Sequence, residues 1–150
     1  GNHDRITSWW LCRLVDHAFK KTKFVTVDTS PRLVKYHQTG KCLWGFAHGD
    51  GPKAKALKDM MPVEQPDNWA KSPACREWLT GHLHQQHMTQ TIGTHEQAGM
   101  VFRILPSLCG TDAWHYANGF SMSAKATQNL LYSHEHGLTA IFHEAISRLV

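Results

Sequence analysis

Apolar residues near the start of the chain recur with the spacing of a helix. Between residues 5 and 21 they lie three or four positions apart, which predicts an amphipathic helix. They are Ile6, Trp9, Trp10, Leu14, Val15, Ala18 and Phe19. Asp4 directly precedes this segment and is a suitable N-cap, and the lysines at its end suit the negative end of the helix dipole.

Alternating or continuous apolar segments bounded by turn residues predict strands over the rest of the chain. The predicted strands are 24–28, 32–38, 41–47, 76–80, 87–92, 99–105, 128–134 and 138–143. Hairpin turns are expected at Thr39-Gly40 and at His136-Gly137. Helices are predicted over 52–61, with Pro52 in the first turn, around Asn68 within a loop at 62–75, and within 123–129. This mixture predicts a layered α/β architecture.

Composition limits the class of protein. The 150 residues, 41% hydrophobic and 19% charged, suffice for one domain with a hydrophobic core. No apolar segment is long enough to span a membrane, and the polar opening residues lead us to expect no signal peptide. The four cysteines form no C-x-x-C pair, which argues against a zinc ribbon or a disulfide scaffold and favours free thiols in the cytoplasm. The net charge of +4 favours an anionic partner such as a phosphate ester or nucleic acid.

The chain contains twelve histidines. Three short motifs combine histidine with other residues that bind metals and phosphate. Residues 1–4 are Gly-Asn-His-Asp, residues 47–50 are Ala-His-Gly-Asp at the end of a predicted strand, and residues 81–84 are Gly-His-Leu-His at the end of another. Side chains two positions apart in extended backbone point to the same side, so His82 and His84 suit one metal or a close pair. Taken alone, each motif has an ordinary structural explanation. A solvated pair on a loop is the more common explanation for His82 and His84, a strand cap or core hydrogen bond is favoured for His48, and residues 2–4 also suit a simple helix entry.

Together and in this order, the three motifs resemble the calcineurin-like metallophosphoesterases. The resemblance implies that Asn2, His48 and His82 bind the second metal, that His84 binds the first, and that His3 is the catalytic histidine. It implies two divalent ions (Mn, Fe, Zn or Ni) that activate a water for in-line attack on phosphorus. The expected substrates are phosphate mono- or diesters, including the phosphodiester backbone of DNA, and no membrane partner is expected.

The stretch from residue 104 to 115 is similar to small family members found in bacteriophage genomes. Within it, Trp114 and His115 follow a turn and are candidates for lining the substrate pocket by stacking on a ring. Aromatic packing under a long loop explains them equally well.

The chain also departs from the family pattern. The family's D-x-H and G-D motifs, which supply the carboxylate bridging both metals, stand upstream of G-N-H-D and are not in this sequence. We therefore expect residues 1–150 to be a single partial domain, part of a four-layer α/β/β/α sandwich whose N-terminal half is missing. Two other hypotheses stay open, namely an inactive metal- or nucleic-acid-binding remnant and a histidine-rich protein that binds a single zinc.

We expect these 150 residues alone to lack phosphodiesterase activity on an aryl phosphodiester, because the bridging carboxylate is absent. Activity should appear when the upstream segment is restored. Release of p-nitrophenol from bis-p-nitrophenyl phosphate with Mn²⁺ measures both. Full activity of the 150 residues alone would refute the expectation.

Overall fold

The structure, a computed structural model, describes residues 5–82, 94–106, 116–117 and 126–145 of a chain that mixes helices and strands. The chain divides into two compact units, Gly1–Leu33 and Val34–Val150. The elements are α1 (Arg5–Phe19), β1 (Val34–Thr39), β2 (Cys42–Ala47), α2 (Ala54–Glu64), α3 (Pro66–Lys71), β3 (Cys75–Thr80), β4 (Thr94–Gln97), β5 (Met100–Ile104), β6 (Ala126–Ser133) and β7 (Gly137–Ala145).

The first unit contains α1, which confirms the predicted amphipathic helix. Its predicted cap, Asp4, lies outside the described residues. The predicted strand at 24–28 is wrong, because these residues form no strand. A strand needs a neighbour for its backbone hydrogen bonds, whereas the Asp28 carboxylate instead accepts a bond from the Ser30 N–H at 2.9 Å and turns the chain locally. None of the described helices is long and apolar enough to cross a membrane.

The second unit is built on a five-stranded mixed sheet in the order β1-β2-β3-β5-β4. β2, β3 and β5 run parallel, and β1 and β4 are antiparallel to their neighbours. Three sequence predictions are confirmed, namely the hairpin across Gly40, strand β3 and strand β5. β4 was not predicted, since it is short and polar (Thr-His-Glu-Gln). It is specified by its turn, in which Ala98 and Gly99 both have positive φ. The predicted strand at 87–92 lies outside the described residues.

Helices α2 and α3 cover one face of this sheet. Leu57 and Met61 of α2 pack in one buried cluster with Leu43 of β2 and Trp78 of β3. On α3, the Trp69 ring lies 4.0 Å from the Arg76 guanidinium of β3. Both helices were predicted, with two differences. Pro52 precedes the helix, whose N-cap is Lys53, and Pro62 lies inside its last turn.

A two-stranded sheet, β6-β7, packs against the opposite face. Tyr132 of β6 meets Trp44 of β2 edge to face with ring centroids 4.9 Å apart. The hairpin turn at Gly137 was predicted correctly, but the short helix within 123–129 was wrong from Ala126 onward, where the chain is already strand β6. Pairing with the nine residues of β7 extends that strand and overrides the local preference. The second unit therefore stacks helices, sheet and hairpin in that order.

A buried ion pair ties this hairpin to the sheet. Arg103 Nε of β5 donates to Glu77 Oε1 of β3 at 2.6 Å, and the two side chains are 2% and 1% exposed. The other carboxylate oxygen, Oε2, accepts a bond from the Tyr132 hydroxyl at 2.5 Å. Arg103 Nη1 also donates to Thr94 Oγ1 of β4 at 3.2 Å. One carboxylate thus connects β3, β5 and the second sheet.

We expect Arg103→Met to lower the free energy of unfolding by about 3–5 kcal/mol, because it leaves the Glu77 carboxylate buried without its cation. The triple variant Arg103→Met, Glu77→Leu, Tyr132→Phe removes the buried polar groups together and should recover most of that loss. Urea denaturation of the three proteins measures the difference. A triple variant no more stable than Arg103→Met would show that the pair itself is not the source of the loss.

Two thiols lie side by side beneath the hairpin. Cys42 of β2 and Cys75 of β3 are register partners on neighbouring parallel strands. Burial, followed by the charge of the Glu77 carboxylate, raises the pKa of the Cys75 thiol from 9.0 to about 12. Burial likewise raises the pKa of the Cys42 thiol. Both thiols therefore stay protonated at pH values at which an exposed thiol ionises.

Because the pKa of Cys75 is higher in the folded state than in the unfolded state, we expect the protein to lose stability at alkaline pH. Below pH 9 both the folded and the unfolded states keep the Cys75 proton. Between pH 9 and about 12 the unfolded state loses it first, so the free energy of unfolding falls as pH rises. Urea denaturation at a series of pH values should show the wild type losing stability relative to Cys75→Ala over this range. Parallel curves for the two proteins would contradict the prediction.

Candidate metal-binding site

Two of the predicted metal ligands follow neighbouring parallel strands. β2 ends at Ala47, directly before His48, and β3 ends at Thr80, directly before Gly81 and His82. Ala47 and Thr80 are register partners, so both strands end at the same level. Ligand sites in sheets of this kind form where the carboxyl ends of parallel strands meet. The topology therefore brings both histidine-bearing loops to one edge of the sheet.

Backbone hydrogen bonds continue past the ends of these strands. The Gly81 N–H donates to the His48 carbonyl oxygen at 3.0 Å, so the two loops remain paired beyond the last strand residues. At the third parallel strand, the Leu105 N–H donates to the Thr80 carbonyl oxygen at 2.7 Å. The loop backbones are thus held by the same ladder that holds the sheet, which is the rigid support that a metal site needs.

The imidazole rings of His48 and His82 lie against each other. Their centroids are 5.0 Å apart and their planes are inclined by 66°. Both residues are partly buried, so they are held in place and still open to solvent. A ring nitrogen lies about 2.0–2.1 Å from a bound zinc-type ion, so two histidines on adjacent coordination positions have ring centres roughly 5 Å apart. The observed separation fits two ligands of one ion.

The backbone beside these rings has an uncommon conformation. Gly49 has a φ of 107° and His82 a φ of 65°. A non-glycine residue with positive φ is uncommon and often marks a functional site. The left-handed conformation lies on His82 and not on the preceding Gly81. His82 is therefore not extended, and the argument that His82 and His84 project to one side of an extended strand does not apply to it.

Five of the predicted site residues lie outside the described residues. They are Asn2, His3, His84, Trp114 and His115. Within residues 5–82, 94–106, 116–117 and 126–145, no three His, Cys, Asp or Glu side chains are grouped so as to hold a metal ion. The described part of the site is therefore a histidine pair. The other ligands that the motifs predict, Asn2 and His84, are not among the described residues.

Sequence reasoning did not identify one further residue of this site. A Cβ at Gly49 would lie 2.9 Å from the Gly81 carbonyl oxygen and 3.2 Å from the His82 Cβ. Gly49 is thus the contact point between the two loops. Its place directly after a strand-terminal histidine was visible in the sequence, but its contact with the other motif depends on strand order.

The chain matches no protein-family model, and no curated protein or solved structure is significantly similar to it. The functional argument therefore depends on the motifs and on the geometry of the site.

Proposed function

We propose that this chain forms part of a two-metal phosphoesterase, a hydrolase of phosphate mono- or diesters. One observation carries the proposal: His48 and His82, taken from two separate sequence motifs, meet at the carboxyl edge of a parallel sheet with ring centroids 5.0 Å apart. The order of residues along the chain does not by itself require His48 and His82 to lie close together. Thirty-four positions separate the two residues (82 − 48), and parallel pairing of β2 with β3 brings them together.

The proposed roles follow the motifs. His48 and His82 hold one divalent ion, while His84 contributes to a second. Divalent ions held there would supply an activated water and offset the negative charge on the phosphoryl oxygens. The paired loop backbones keep the His48 and His82 rings in place before any ion binds, which limits the reorganisation that binding requires.

The layer order also supports the proposal. Helices, mixed sheet and hairpin sheet of the second unit form the mixed α/β class of fold that the motifs imply, and the four-layer α/β/β/α sandwich remains a proposal. The proposed fourth layer and the completion of the second sheet would come from outside the described elements. The net charge of +4 suits an anionic substrate, and the phosphodiester backbone of nucleic acid is included in the proposed class.

Metal titration of single variants tests the proposal. His48→Ala and His82→Ala should each abolish high-affinity binding of Co²⁺ or Mn²⁺, because each removes one of the few ligands of the same ion. In a chain that also carries the family's D-x-H and G-D motifs, each should lower Mn²⁺-dependent hydrolysis of bis-p-nitrophenyl phosphate by at least about 100-fold, since losing one ion removes several kcal/mol of transition-state stabilisation.

His143→Ala is the matched control, because His143 lies exposed on β7. It should bind metal and hydrolyse substrate as the wild type does. Two ions per chain without turnover would favour the inactive remnant, and one tight ion per chain would favour the single-zinc hypothesis. Metal binding that is unchanged in both His48→Ala and His82→Ala would show that the pair is not a metal site.

A further inference from the structure

The two histidine loops touch at their backbones, and Gly49 is the residue at the contact. A Cβ at this position would lie 2.9 Å from the Gly81 carbonyl oxygen, which is closer than real Cβ atoms approach. It would also lie 3.2 Å from the His82 Cβ. The oxygen belongs to the backbone of the paired loop and cannot rotate away as a side chain can. A larger residue would therefore push the loops apart.

The conformation of Gly49 imposes a second requirement. Its φ of 107° lies in the region that residues with a Cβ rarely adopt. The neighbouring glycines have no such requirement. A Cβ at Gly81 would meet only the His48 carbonyl oxygen, at an ordinary 3.6 Å, and a Cβ at Gly51 would meet nothing within 4 Å. The constraint is specific to the residue that follows the first histidine.

We infer that Gly49 is a positioning residue that sets the distance between the His48 and His82 rings, and thereby the geometry of the metal site. The inference rests on the proposed function for its consequence in metal binding. The placement of the rings itself does not depend on a bound ion. Site geometry must be held within about half an ångström for ligands to act together. Adding one methyl group at Gly49 displaces this arrangement without changing a ligand.

The chain contains a close match for Gly49 far from the site. Gly137 has a φ of 79°, and a Cβ there would lie 2.7 Å from the Ala74 carbonyl oxygen and 3.1 Å from the Cys75 Cβ. Cys75 begins β3, whereas His82 follows its end. Gly137→Ala thus introduces similar strain and crowding at the opposite end of the same strand, roughly 20 Å away. Gly99→Ala introduces positive-φ strain alone, since nothing lies within 4 Å of its Cβ.

The first measurement needs no metal. In the metal-free wild type, the two imidazole rings should give proton–proton nuclear Overhauser contacts, because their centroids are 5.0 Å apart. Gly49→Ala should lose or weaken these contacts, while Gly81→Ala, Gly137→Ala and Gly99→Ala should keep them. Circular dichroism checks that each variant is folded.

The second measurement is Co²⁺ titration followed by the visible d–d absorption. Gly49→Ala should bind Co²⁺ about 10- to 100-fold more weakly than the wild type, as changes to the supports of metal ligands do. Its spectrum should shift because the coordination geometry changes. Gly137→Ala should lose thermal stability to a similar extent and keep both the affinity and the spectrum.

Three results would overturn the inference. The first is a Gly49→Ala variant with wild-type ring contacts. The second is an equal loss of these contacts in Gly137→Ala or Gly81→Ala, which would indicate general destabilisation. The third is failure of Gly49→Ala to fold, because a displacement confined to two loops leaves the core intact. A wild type that binds Co²⁺ without using His48 and His82 would refute the proposed function, and the ring contacts would still decide the role of Gly49.

Discussion

The parallel pairing of β2 with β3 is the constraint on which the rest of the second unit depends. Gly45 and Trp78 are partners in this pairing, and a Cβ at Gly45 would lie 2.5 Å from the Trp78 ring. The indole, which is fully buried, therefore lies directly on the backbone of β2. Tyr36 of β1 completes the arrangement with its ring 5.6 Å from that of Trp78. Helix α2 packs on this surface, and the register that allows it also aligns the ends of both strands.

The two faces of the sheet are stabilised in different ways. The helical face buries apolar side chains, and the hydrophobic effect that favours their burial is not directional. The hairpin face buries Glu77 and Arg103 and half-buries Tyr132, and directional hydrogen bonds join the three side chains. Burial raises the pKa of the Tyr132 hydroxyl, and its bond to the Glu77 carboxylate acts in the same direction. The helical face is thus held by apolar packing, and the hairpin face by a polar cluster that joins Tyr132 of the hairpin to Glu77 of the sheet.

The candidate site uses the rigidity of this arrangement. The hydrogen bond from Gly81 to His48 extends the sheet into the loops, and the close approach at Gly49 brings the loops to the distance at which both rings could share an ion. His82 beside this contact has a positive φ of 65°. A small displacement of the backbone would therefore change the site although both histidines remained, because ligand geometry depends on loop spacing as much as on residue type.

The local elements and the chemistry of the motifs follow from the order of residues. Hydrophobic spacing identified α1, the β1–β2 hairpin, β3 and β5, and turn residues identified the turn at Gly137. The motifs also singled out His48 and His82 as residues that could bind metal. Where the sequence prediction was wrong, at 24–28 and at 126–129, the outcome depended on whether a partner strand was present.

Only the tertiary structure decided the pairings between distant segments. Strand order places β5 between β3 and β4 and brings the two histidine loops together, and no local pattern specifies such an order. The assignment of the left-handed conformation to His82 and the contact at Gly49 follow from that order. They depend on backbone atoms more than thirty positions apart, so the motifs named the candidate ligands while the packing of two parallel strands placed them side by side.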